Sequence, residues 1–176
     1  GDGTGTIHVW GVQLEEGAFS TSYIPTTTAA ATRTADVASI TGSNFSSWYR
    51  QDEGTVFADF IPRNTSVSGA FGADDTTSSE RWRIGHNGVS AANLTVVDEN
   101  TVQAITNTGT DSALLGSSAR CAAALKANDF QICANGQYCG TADTLGTMPT
   151  PTQATIGTAR TTNRINGTIS RLCFFD

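Results

Sequence analysis

Positive charge is scarce in this sequence. Lys126 is the only lysine among 176 residues, and Lys and Arg together number 10 against 16 Asp and Glu, for a formal net charge of −6. Cations so few and so scattered leave no basic footprint, which argues against a nucleic-acid or anionic-lipid surface. Long apolar runs are also missing. None approaches the ~20 residues a membrane helix needs, so no membrane insertion is expected. The opening residues, GDGTGTIHVW, have no basic start and no long apolar stretch, hence no visible secretory signal. They also lack an initiator Met, and we expect a fragment or processed piece of a longer polypeptide. Strong helix formers are few: Leu is sparse and there is a single Met. Gly, Ser, Thr, Ala and Asn dominate instead, which favours strands and turns.

No pair of cysteines is spaced C-x-x-C, and neither His8 nor His86 lies near one. That spacing argues against zinc. The 4 cysteines are Cys121, Cys133, Cys139 and Cys173. Cys133 and Cys139 flank a turn, so a hairpin disulfide and a pair of reduced thiols are both open readings.

Periodicity divides the chain into three parts. Residues 1–14 contain TIHVWGVQL, where Ile7, Val9 and Gly11 alternate with His8, Trp10 and Val12. This reads as a strand, either appended or the last of an upstream domain, and it needs partners from elsewhere. From 15 to 35 no period holds; Pro25 and the small residues of TTTAAAT suggest an extended linker. From 36 to 176 short strands recur with turn residues between them. GTVFADFIP (54–62) alternates Val56, Ala58 and Phe60 against Phe57, Asp59 and Ile61, and Pro62 ends it. Asn87-Gly88 suggests a type I′ hairpin turn, with further turns at Asp98–Asn100, Ala127–Asp129 and Asn135-Gly136. NFSSWY (44–49) reads as a turn or strand start. Such spacing predicts an all-β, antiparallel sandwich or barrel.

The junction VWGVQLEEGAFSTSYIPTTTAAATRTADVASI resembles one found in tailed-phage virion proteins, between one sandwich and the next. EGTVFADF, LKANDFQICANGQYCGTAD and TQATIGTARTTNRINGTISRLCFFD, in this order, resemble the concanavalin A-like (laminin-G-like) jelly-roll sandwich of tail-fibre proteins. The resemblance implies an all-β concanavalin A-like sandwich over 36–176, preceded by an extra strand and linker. It further implies a non-enzymatic structural protein on the phage particle, extracellular after release. Its partners would be other virion subunits, in a homo-oligomer that is often a trimer. A host-surface glycan is the alternative role, and a glycan-cleaving enzyme a third.

Glycoside hydrolysis requires two converging carboxyl groups. The acidic clusters here are adjacent pairs such as Asp52-Glu53 and Asp98-Glu99, which would point to opposite faces of a strand. No catalytic residue is assigned. For glycan binding, the candidates are Trp82, flanked by Arg81 and Arg83, and His86 before the turn. If Trp82 and Ile84 face the core, both arginines face out; in the opposite register the indole is exposed for sugar stacking. The core register is the ordinary one for a tryptophan. No cofactor is expected. The one cation considered is calcium, which such sandwiches hold at their rim, with Asp74 and Asp75 as the oxygen donors.

Overall fold

The computed structural model describes residues 3, 5–16, 22–32, 37–89, 91–109, 115–136, 138–159 and 163–176. It divides into two compact units, Gly1–Asp36 and Val37–Asp176.

In the first unit the alternating stretch at 6–14 does not form a strand. Its apolar side chains stand in solvent: Ile7, Trp10 and Leu14 are 86%, 86% and 99% exposed. Trp10 therefore packs into no core. Its ring lies 5.3 Å from that of Tyr23, and Gln13 Oε1 accepts the Ile24 N–H at 2.7 Å. One side-chain clip is not a ladder. Alternation supplies a face, but a strand also needs a neighbouring backbone, and the described residues of this unit provide none.

The second unit is two antiparallel sheets packed face to face. Its elements are β1 (Ala38–Thr41), the single helical turn α1 (Ser43–Ser46), β2 (Glu53–Pro62), β3 (Val67–Asp74), β4 (Arg81–Asn87), β5 (Ala92–Asp98), β6 (Thr101–Asn107), β7 (Ala119–Lys126), β8 (Asp129–Ala134), β9 (Tyr138–Cys139), β10 (Gln153–Ile156), β11 (Thr158–Ala159), β12 (Asn163–Arg164) and β13 (Gly167–Phe175). The larger sheet runs β1-β10-β3-β4-β5-β6, with β11 and β12 beside β3; the smaller runs β13-β2-β7-β8-β9.

Alternation of side chains assigns the core. Val56, Ala58 and Phe60 of β2 are buried, and so are Ala119, Cys121, Ala123 and Leu125 of β7. On the larger sheet Trp82, Ile84, Leu94 and Val96 meet them. Each large apolar side chain closed off in this way contributes about 1.5–3 kcal/mol. NFSSWY forms α1 and the turn after it rather than a strand. This places Phe45, Trp48 and Tyr49 against Phe174, with ring centroids 4.7–6.1 Å apart. An aromatic cluster at the sandwich end overrides the strand propensity of these residues.

Turn chemistry departs from expectation at one place. Paired positive φ values of the type I′ kind occur at Glu99 (48°) and Asn100 (61°), between β5 and β6, and at Asn135 (54°) and Gly136 (71°), between β8 and β9. Asn87 instead ends β4, and its Oδ1 accepts the N–H groups of Val89 and Ala91. An Asn side chain that closes a longer loop removes the need for a two-residue turn.

Candidate ligand-binding face

The four candidate binding residues share β4 but not a face. Trp82 is 1% exposed and points inward. It registers with Ala73 and Val96, and its Nε1 donates to Tyr49 Oη at 3.3 Å. Burial raises the Tyr49 hydroxyl to about 12. His86, four residues further along the same face, is fully buried; its Nδ1 accepts the Gly88 N–H at 3.1 Å. Burial holds its pKa below the usual 6.5. Neither ring can meet a ligand at the surface: pleating sends even positions of β4 into the core.

Arg81 and Arg83 point the other way, onto the outer face of the larger sheet. The register places Arg83 between Gly72 of β3 and Thr95 of β5. Its neighbours on that face are short. Gly85 follows it on β4, opposite Gly69 and Asn93. A Cβ built on Gly85 would lie 2.0 Å from the Ser68 carbonyl oxygen, so this part of the floor must be bare backbone. Asn93 and Thr95 on this face are only 3% and 6% exposed. Short residues standing among longer ones make a recess.

The recess is polar and ordered. Thr95 Oγ1 donates to Asn93 Oδ1 at 2.7 Å, and Asn93 Nδ2 donates to Asn107 Oδ1 at 2.9 Å. Across β3, Gln153 Nε2 donates to Asp74 Oδ1 at 2.7 Å. Arg81 Nη1 donates to the Ser78 carbonyl. Arg83 differs from these. Its Nη1 makes one long contact, 3.5 Å, to the Ser68 carbonyl, and no carboxylate among the described residues pairs with it. Burial, then the like charge of Arg81, pulls its pKa down to about 10.

Asp74 and Asp75, the candidate calcium donors, both accept hydrogen bonds from the loop that follows them. Asp74 Oδ1 also accepts the Thr76 N–H at 2.9 Å, and Asp75 Oδ1 accepts the Thr77 N–H and hydroxyl. Both close the β3–β4 loop, and no cluster of three metal-binding side chains occurs among the described residues. Asp74 is the only outward carboxylate among the described strand residues of this face, so the pair needed for glycoside hydrolysis is not assembled there.

The other sheet differs. Cys133 and Cys139 are joined by a disulfide that ties β9 to β8. Outward from β13, β2 and β7 stand Cys173, Phe57 and Ala122 in one row. Beside them lies a shallow cavity of about 580 Å³ lined by Phe57, Arg120, Ala122 and Cys133. Cys121 faces the core, and burial pushes its thiol up to about 12, which disfavours the thiolate.

No family model matches the sequence, and no curated protein matches it. Solved structures do. The CBM40 module of the Ruminococcus gnavus IT-sialidase, bound to α2,3-sialyllactose, aligns with a TM-score of 0.57 at 11% identity, over 71% of this chain and 76% of that one. Domains LG4-5 of the mouse laminin α1 chain give 0.57 at 11% identity, over 80% and 38%. Domain 4 of AbnA, a GH43 arabinanase of Geobacillus stearothermophilus, in complex with arabinotriose, gives 0.54 at 11% identity, over 73% and 63%. The chain thus spans less than two thirds of the last two. At such identities the likeness defines fold alone. Residues 37–176 form an all-β, antiparallel sandwich with the concanavalin A-like fold.

Proposed function

We propose that residues 37–176 form a non-catalytic glycan-binding module, with the ligand seated on the outer face of the larger sheet. One observation carries this reading: the recessed floor of Gly72, Gly85, Asn93 and Thr95, with amide and hydroxyl groups held by hydrogen bonds and the Arg83 guanidinium beside them. Sugars are recognised by such convergent polar groups set in a concavity. Two structures that share the fold hold oligosaccharides, sialyllactose in one and arabinotriose in the other, which supports the same role here. The test is a glycan-array screen with the full chain. Reproducible binding to an oligosaccharide class is expected. A folded chain that binds no glycan on an array spanning bacterial and animal structures overturns the proposal.

The setting we propose is the particle surface of a tailed phage, extracellular after release, with the module in a homo-oligomer. That setting rests on the sequence resemblance. A purely structural role is the second reading, and the apolar row Cys173, Phe57 and Ala122 favours it, because such a row suits burial against a neighbouring subunit. Light scattering on the purified chain separates the two: a stable trimer without glycan affinity supports the structural reading.

A further inference from the structure

Charges on the two outer faces are matched differently. On the smaller sheet Lys126 registers with Glu53 and Arg120 with Asp59, giving N···O distances of 2.9 Å and 3.9 Å. On the larger sheet Arg81 has Asp74 as its registered neighbour. Arg83 has glycine on one side and threonine on the other. A guanidinium offers five donors in a planar fork suited to a carboxylate or sulfate. This one is removed from most of the water and meets one distant carbonyl. Leaving a cation so poorly compensated is costly unless something else supplies the counter-charge.

The face also lacks the usual means of holding a neutral sugar. Its outward strand residues include no aromatic side chain among those described, since Trp82 points inward. Without a ring to cover the apolar side of a sugar, affinity must come from polar contacts. Those strengthen when one partner is charged and the other carries the opposite charge.

We infer that the ligand of this face is an acidic oligosaccharide, whose carboxylate or sulfate group is bound by Arg83 beside the Asn93–Thr95 floor. The inference rests on the glycan-binding reading and names its ligand class. Gly72 matters to it because a side chain there would crowd Arg83: a Cβ would lie 3.2 Å from the Arg83 Cβ.

The experiment is an array printed with matched neutral, carboxylated and sulfated oligosaccharides, probed with the full chain and with R83Q and R83K. Melting curves establish that each variant is folded. The expected result is binding confined to acidic members. R83Q should weaken it about tenfold or more, as loss of a charge-assisted contact does. R83K should fall between, because an ammonium keeps the charge but not the fork. The carboxylated and sulfated arms tell which anion is preferred. Binding to neutral members equal to that of acidic ones overturns the acidic ligand but leaves a glycan-binding module. Acidic binding that R83Q leaves intact overturns the site. If no oligosaccharide binds, the inference and the module reading both fail. If R83Q does not fold, binding by the wild-type chain that does not weaken as NaCl is raised counts against the inference.

Discussion

The two outer faces of the sandwich are built from the same element, a pleated antiparallel strand, yet they treat charge and shape in opposite ways. On the smaller sheet, alternate residues of β7 are exposed, its cations sit opposite carboxylates, and the surface between them is small and apolar. On the larger sheet the outward residues of β5 are almost closed off, and Arg83 sits opposite residues that cannot neutralise it. The difference lies in register, not composition. A face that only needs solubility can satisfy its charges across neighbouring strands. A charge left without a cross-strand partner, above glycines, is better explained by a ligand.

Perturbations should divide along the same line. Trp82→Ala strikes the shared core beneath both faces. It should destabilise the sandwich by about 3–5 kcal/mol, read as a lower denaturant midpoint, with the Tyr49 hydroxyl losing its donor. An effect confined to one face would break the comparison. Reduction of Cys133–Cys139, or C133S with C139S, affects only the smaller sheet. Closing a loop of six-residue separation should be worth about 2 kcal/mol by loop entropy, and glycan affinity should not change.

Acid should act on the larger sheet through His86. Its folded pKa lies below 6.5, so the folded state favours the neutral ring. The corresponding stability is complete above pH 6.5 and is lost as pH falls through the folded value. Chemical denaturation at pH 7 and pH 5 should show the wild type losing more stability than H86Q. Equal losses would remove His86 from the account. Smallest of all, Lys126→Gln should leave both stability and affinity unchanged within error, since the Lys126–Glu53 pair is solvent-exposed.

Much of this was legible in the sequence. The alternation of Val56, Ala58 and Phe60 gave β2 its buried face. The inward register of Trp82 and Ile84 put Arg81 and Arg83 outside, because strand parity is local information. What was hidden is long-range. That Arg83 would lie between Gly72 and Thr95 depends on pairing across two loops, and nothing local to β4 reports it. Trp82 and His86 were grouped with the arginines by proximity in sequence, which a pleated strand divides between faces. The stretch at 6–14 shows the same limit of local information. It has the alternation of a strand but pairs with no backbone among the described residues, and Ile7, Trp10 and Leu14 are exposed. The turn at Ser43–Ser46 was set by the contact of Phe45 and Trp48 with a strand more than a hundred residues away.

The most direct test is a calorimetric titration of the full chain with an acidic oligosaccharide, run in parallel on wild type, R83Q and K126Q. The account predicts that R83Q loses about tenfold or more in affinity while K126Q matches the wild type. Equal affinities for all three proteins, or a loss in K126Q as large as that in R83Q, would contradict it.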